Sequence, residues 1–334
     1  MIEIDGQHSG GQSLRSALSL SVLTGKPFKI INIRGKREEG GLKHQHLAAV
    51  NAMGYLCNAK ITGAELGSKE LEFHPGNIDK DNLKIDVGTA GSSTLILQTI
   101  IPACSNYNKK IKIDVKGGTD TTHCPMCLYF MQVFCDFLYR LGLDFKFDIK
   151  KFGFYPKGGG ELYFELNPNH SLKEIDYVNR GSILKIDVHA VASKDLEKRD
   201  VIKRMIKSLE IKIGGDIPVE THEHYVDTLN TGCFIHSHIH YENYKVGDGV
   251  LGEPKKKAED VGRECAEKIN KLINSDGLDK YAADQLMIYM AVKGKGKILA
   301  SEITDHILTN KDVIEKFLPV EFIIKDNLIE CNKI

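Results

Sequence analysis

Leu83-Lys-Ile-Asp-Val87, Gly88-Thr-Ala-Gly-Ser92, Leu95 to Ala103 and Ile111-Lys-Ile-Asp-Val115 follow one another in the chain and decide how it folds. The first and last stretches alternate apolar and polar residues, which puts every second side chain on one face, as in a half-buried strand. The Gly and Ser cluster between them makes a tight turn, and the apolar run after it predicts a helix. The same order recurs upstream, where Ile2-Glu-Ile-Asp5 leads through Ser9-Gly-Gly-Gln12 to Leu14, Ala17, Leu18 and Ser21 at helical spacing, and then to Phe28 to Ile33. A third Gly turn, Gly117-Gly-Thr-Asp120, precedes a predicted helix that Gly142 ends, with strands from Phe145 to Ile149 and Glu161 to Leu166 behind it. Repeated units carrying both periods make the class α/β, or α+β in repeats.

From about Ile183 to Ser275 the texture changes to more charge, alternating strands such as Phe234-Ile-His-Ser-His-Ile-His240, and a long polar helix predicted from Lys255 to Asn274. The earlier style then resumes with a helix from Tyr281 to Val292, a strand from Lys297 to Ala300, a helix from Lys311 to Phe317 and a final β pair. Asn310 is the expected cap of that last helix and Pro319 helps stop it. The expected organisation is a discontinuous main domain, 1–184 and 276–334, interrupted by an inserted domain, 185–275.

The 334 residues, 42% hydrophobic, suffice for a large core without metal or disulfides. Lys plus Arg number 45 and Asp plus Glu number 45, so the net charge is 45 − 45 = 0, and nucleic acid could be held only by a local basic patch. The start, Met1-Ile-Glu-Ile-Asp5, is too acidic for a secretory leader, so the eight cysteines are expected as free thiols in the cytoplasm. The most apolar helix, Leu95 to Ala103, is broken by Gln98 and falls short of the roughly 20 residues of a membrane span, so no membrane partner is expected.

Three Gly turns opening onto helices offer free amides to a phosphate or carboxylate, or simply permit tight turns. None is a Walker A loop. The loop after the first unit gathers Arg34, Lys36, Arg37, Lys43, His44 and His46, which reads either as a phosphate surface or as a solvated loop offset by Glu38 and Glu39. His123-Cys-Pro-Met-Cys127 is a lone C-x-x-C that reads as the opening of a helix, with metal or redox chemistry the other reading. His236, His238 and His240 alternate on a strand, and His222 and His224 likewise, which suits either metal or a solvent-facing strand surface. His306 sits between a predicted strand and a predicted helix start, and a neutral imidazole there can carry a nucleotidyl group between two partners.

Taken together, the motifs resemble the RNA 3′-terminal phosphate cyclase family along nearly the whole chain. They run in order: Gly10-Gly-Gln-x-Leu-Arg15-x-Ala-Leu-x-Leu-Ser21, Ile33-Arg34-x-x-Arg37 with Gly41-Leu-x-x-Gln45-His46, Gly88-Thr-Ala-Gly-Ser92 with Leu97-Gln98, Gly117-Gly-Thr-Asp120, Gly153-Phe-Tyr-Pro-x-Gly-Gly-Gly160, Tyr281-Ala-Ala-Asp-Gln285, and His306-x-Leu-Thr-Asn310. The resemblance implies three repeated units, each a four-stranded sheet with two helices as in enolpyruvyl transferases, plus a smaller inserted α/β domain. It implies a ligase that uses ATP and a divalent metal, Mg²⁺ or Mn²⁺, to convert an RNA 3′-phosphate into a 2′,3′-cyclic phosphate in RNA processing. The route runs through a histidine-AMP adduct on His306 and then RNA(3′)pp(5′)A, releasing pyrophosphate and AMP. By motif, Gln98, Tyr281, Ala282, Ala283, Asp284 and Gln285 match ATP contacts, and Arg15, Arg34, Arg37, Gln45 and His46 match the surface that handles substrate phosphate.

The first loop, Asp5-Gly-Gln-His-Ser-Gly-Gly-Gln12, is two residues shorter than the family pattern and lacks the acidic residue that typically serves the metal. No metal ligand is therefore assigned, with Glu3 and Asp5 as substitutes to check. The alternatives are a weak or inactive RNA-binding relative acting in ribosomal RNA maturation, and a carbon–oxygen transferase on the same repeat fold.

Overall fold

A computed structural model describes residues 1–168, 171–214 and 216–334. The first unit comprises β1 (Ile2–Asp5), α1 (Gln12–Thr24), β2 (Phe28–Ile31), α2 (His44–Cys57), β3 (Lys60–Thr62) and β4 (Leu71–His74). The second comprises β5 (Asn82–Asp86), α3 (Ser93–Ala103), β6 (Ile111–Gly117), a helix made of α4 (Cys127–Tyr129), a π-helical turn at Phe130–Phe134 and α5 (Cys135–Arg140), then β7 (Phe145–Lys151) and β8 (Gly160–Leu166). Strand β9 (Ile175–Tyr177) precedes β10 (Ile183–Ser193), α6 (Val201–Glu210), β11 (Val219–Val226), β12 (Cys233–Tyr241), β13 (Lys245–Leu251) and α7 (Ala258–Ile273). The chain ends with α8 (Lys280–Lys293), β14 (Lys295–Leu299), α9 (Asp305–Phe317), β15 (Val320–Lys325) and β16 (Leu328–Lys333).

The described residues form four four-stranded sheets, in the orders β1-β2-β4-β3, β5-β6-β8-β7, β9-β14-β16-β15 and β11-β10-β12-β13. Numbered within each unit, the first three share the order 1-2-4-3, with strands 1 and 2 parallel and the other pairs antiparallel. Each of these units therefore runs β-α-β-α-β-β, and the expected three repeats are present. The third closes across an interruption, because β9 pairs with β14 through Gly296 and Ile175.

The alternating patterns behave as read. In β6 and β8 every second residue is buried, so each strand lays one face on the core. Helix α3 is buried at every position, because it is packed by α1, α2 and α8 on its sides and by β6 and β8 beneath it. Ser92 caps it by accepting from the Leu95 N–H.

Two readings need correction. The last helix starts at Asp305, with Thr304 as the cap accepting from the Ile307 N–H, so Asn310 lies inside the helix and not at its start. The acidic Asp305 suits the positive end of the helix dipole, which explains the earlier start. Two of the three histidines of β12 are also not solvent-facing, since His236 and His238 are fully buried, and His240 is partly exposed. Their face of the sheet turns toward the body of the molecule, where the His236 ring meets Tyr129 edge-on at 6.0 Å.

Candidate active site

In the first two repeats loops leave the C-terminal ends of strands 1 and 2 and enter the following helices, and in the third the loop after β14 enters α9, the position where α/β sheets commonly bind ligands. These loops meet over a cleft of about 970 Å³. The first repeat contributes Gly10 to Gln12 and the basic loop, the second Thr121 to Met126, and the third the starts of α8 and α9. Residues between Gly249 and Lys268 form the remaining wall.

His306 lies in the first turn of α9, not in a loop, and its side chain is 54% exposed toward the cleft. Its Nδ1 is 3.2 Å from Oδ2 of Asp284 on α8, a carboxylate that is 7% exposed. The other oxygen of Asp284 accepts from Gln285 Nε2 at 2.7 Å. With Nδ1–H donating to the carboxylate, Nε2 carries the free lone pair and is the atom available for attack.

Asn310, one turn further along α9, fixes this helix in place. It donates to the Asp284 backbone oxygen at 2.8 Å, while its Oδ1 accepts from Ser16 Oγ at 2.6 Å and Gln12 Nε2 at 3.1 Å. The first and third repeats are thus tied together directly beneath the histidine.

The opposite wall is cationic. Arg15, half-buried on α1, is held by Gln12, and desolvation brings its guanidinium down to about 10. Arg34, in a left-handed conformation at φ 57°, donates to the carbonyls of Glu39 and Gly41, each at 3.0 Å, which braces the basic loop. His46 is 5% exposed, and burial together with Arg15, Arg34 and Lys43 pushes its imidazole down to about 3. It is therefore neutral, and because its Nδ1 accepts from the Lys43 N–H, its Nε2 carries the hydrogen and serves as a donor. Gly11 leaves room for that ring, since a Cβ there would run into Nε2 of His46. Gln45 joins the first two repeats by accepting from the Ser92 N–H at 3.0 Å.

Gln98 on α3 lines the cleft floor. It is 5% exposed, yet neither its amide oxygen nor its amide nitrogen has a hydrogen-bond partner. A buried, unpaired amide at the bottom of a cleft is a group built to meet a polar ligand. Tyr281 lines the same cleft, with the Lys280 ammonium 4.9 Å over its ring.

A signature of the RNA 3′-terminal phosphate cyclase family matches residues 7–324. The chain belongs to that family. Among curated relatives named RNA 3′-terminal phosphate cyclase, that of Saccharolobus solfataricus is 41% identical over 326 residues, spanning 96% of this chain and 95% of its own. That of Sulfolobus acidocaldarius is 39% identical over 337 residues and 97% of both chains, and that of Pyrococcus furiosus 35% identical over 339 residues, 100% of this chain and 98% of its own.

For this cyclase-family chain, the cleft gathers ten of the twelve residues marked by the motifs: Arg15, Arg34, Arg37, Gln45, His46, Gln98, Tyr281, Asp284, Gln285 and His306. Ala282 and Ala283 do not line it, because they face the packed side of α8 and are completely buried. Asp5, checked as a substitute for a metal ligand, stands outside the cleft lining, and its carboxylate accepts from Gln7 N–H and Asn32. Glu3 is likewise outside the cleft wall. Sequence reasoning missed Gln12, Lys256 and Lys268, all of which reach the cleft. Gln12 stands in the sequence as part of a Gly turn and of the first motif, and Lys256 and Lys268 as members of a polar helix, with no signal of a site. The Gly117-Gly-Thr-Asp120 turn serves the scaffold: Asp120 accepts from the Cys127 N–H at 3.1 Å and so anchors the helix behind it.

Proposed function

We propose that this chain is an ATP-dependent RNA 3′-terminal phosphate cyclase that works through His306. One geometric fact carries the reading: the His306 imidazole is oriented by Asp284 at 3.2 Å and opens onto a cleft walled by arginines. In the first step Nε2 forms a bond to the α-phosphorus of ATP as the bond to pyrophosphate breaks. The positive charge then on the ring is held by the Nδ1–H donated to Asp284. In the second step an oxygen of the RNA 3′-phosphate displaces the imidazole and takes the AMP. In the third the 2′-hydroxyl attacks the activated phosphorus, loses its proton and expels AMP, which closes the ring.

Each step moves charge between phosphates, so positioning and electrostatics dominate. Gln98, Tyr281 and Gln285 are placed to hold ATP, while Ala282 and Ala283 let α8 pack closely enough to present them. Arg15, Arg34, Arg37, Gln45 and the Nε2–H of His46 receive the RNA end, by phosphate and ribose more than by base. A divalent ion bound with ATP would neutralise phosphate charge. Glu253 and Asp305 are carboxylates of the cleft wall that fit a share in it, completed by water and phosphate oxygens.

The same reading divides the chain into a catalytic body, 1–184 and 276–334, and an insert, 185–275. It places the chain in the cytoplasm, consistent with eight free cysteines. No helix among the described residues is long and apolar enough to cross a membrane.

The test is incubation with ATP labelled at the α-phosphate and Mg²⁺ or Mn²⁺, then denaturing electrophoresis. An acid-labile, alkali-stable adduct on wild type and none on His306→Ala supports the reading. No adduct with either metal overturns it in favour of a non-catalytic RNA-binding role.

A further inference from the structure

Strands β10, β11 and β12 bring six imidazoles and two carboxylates onto one face of their sheet, outside the cleft. The register sets Asp187 opposite both His238 and Glu220, and His189 opposite both His236 and His222. The other face is taken by helix α7, where Ser237 meets Cys265 at 3.5 Å. The rings form a ladder, with His236 and His238 centred 5.6 Å apart and His238 and His240 4.8 Å apart. His238 is 1% exposed at its side chain, and among the described residues neither of its ring nitrogens has a hydrogen-bond partner. A buried polar group left unpaired is costly, so a ligand at this point would be stabilising.

We propose that Asp187, His238 and His240 form a binding site for a divalent transition-metal ion, zinc by the chemistry of the donors. Oδ2 of Asp187 lies 2.6 Å from Nε2 of His240 and 3.5 Å from Nε2 of His238. The three donor atoms all fall within 4.8 Å of one another. Zinc bonds nitrogen and oxygen at about 2.0–2.2 Å, which puts neighbouring tetrahedral donors about 3.3 Å apart. His238 already stands at that separation, and a sub-ångström movement of His240 completes it.

Two imidazoles with one carboxylate favour zinc and its neighbours over magnesium or calcium, which prefer oxygen-only sets. A second set, Asp187 with Glu220 and His222, shares the carboxylate. It already holds a cation, because the Lys185 ammonium is 3.1 Å from Oδ1 of Asp187 and 2.6 Å from Glu220. On the inner, Oδ2 side, Asp187 meets His240 Nε2 in a 2.6 Å hydrogen bond and His238 Nε2 at 3.5 Å, the contacts that a bound ion would replace. His240, 20% exposed at its side chain, leaves it a way in from solvent.

The experiment is calorimetric titration of the full chain with Zn²⁺ after chelator treatment, repeated with Mg²⁺. Wild type should bind one Zn²⁺ equivalent that His240→Gln and Asp187→Asn each weaken at least tenfold. His224→Gln and Cys124→Ser, changes at an exposed histidine and at the C-x-x-C, should leave it intact. Co²⁺ should show the visible absorption of a four-coordinate site in wild type but not in His240→Gln. Thermal melting of wild type provides a measurement independent of the variants, and Zn²⁺ but not Mg²⁺ should raise its midpoint. Unchanged Zn²⁺ affinity in both ligand variants, or no rise in wild-type melting with Zn²⁺, overturns the proposal. ATP labelling is not among these readouts, so failure here leaves the cyclase reading untouched.

Discussion

Asp284 Oδ2 lies 3.2 Å from His306 Nδ1, on a carboxylate kept from solvent while the histidine it contacts is exposed. This is the arrangement of an orienting acid behind a nucleophile. Asp284→Asn should lower the rate of AMP transfer to His306 by about 10- to 100-fold, in the range seen when a group that orients a histidine is removed. KM for ATP should change little, because the amide keeps the shape but loses the charge that stabilises the modified ring. Single-turnover labelling with α-labelled ATP measures it, and an unaltered rate would remove Asp284 from the mechanism.

Gln98 has a buried amide with no hydrogen-bond partner among the described residues. Gln98→Leu, similar in volume and free of that unpaired group, should leave the fold equally stable or more stable by about 1 kcal/mol. It should also raise KM for ATP about tenfold or more. Denaturant midpoints and ATP titrations read the two opposite effects on one variant.

Gly11 has φ −83°, a value that any residue can adopt, so its requirement is for space. Gly11→Ala would push the His46 ring from its place, and overpacking of this kind typically costs about 1–3 kcal/mol. Affinity for an RNA 3′-phosphate should fall with it, while affinity for an RNA 3′-hydroxyl end should move less. Equilibrium binding to both ends distinguishes this from general unfolding.

Asn310 joins α9 to α1 through Ser16 and Gln12. Asn310→Ala strands those partners in a buried site and should destabilise the protein by about 1–3 kcal/mol. It should also slow adenylylation, since the helix that carries His306 loses its anchor. Urea unfolding and the labelling assay should move together.

His46 takes up protons near 3 in the folded protein against about 6.5 in an unfolded chain. Above pH 6.5 neither state binds the proton, and the stability that the neutral ring contributes is fully present. As pH falls from about 6.5 toward 3, only the unfolded chain binds it, and that contribution is lost. The stability gap between wild type and His46→Gln should therefore narrow between pH 7.5 and pH 4.5, as urea midpoints at both values would reveal.

The repeats were legible because each is written locally: alternating residues, a Gly turn, then a helical run, as in Leu83 to Ala103. His306 was legible as chemistry but not as position, since Asn310 looks like a cap until Thr304 is seen to accept from the Ile307 N–H. The burial of the β12 histidines was invisible for a different reason. A strand pattern gives the face a residue shares with its neighbours but not what covers that face, and here Tyr129 does so from another unit. The unpaired state of Gln98 also depends on three-dimensional packing, and its trace in the sequence is the single amide side chain in a mostly apolar helix.

Strand β9 is synthesised before the whole inserted segment, yet its partner β14 comes after it. A growing chain must therefore carry an unmatched sheet edge, a hazard for mispairing, through the making of four more strands and three helices. The first two repeats and the insert can close as soon as they emerge, but the third, which bears His306, is completed only by the final residues. Chains released early would lack β15, the strand packed against α9, so the helix bearing His306 is among the last parts of the body to gain its support.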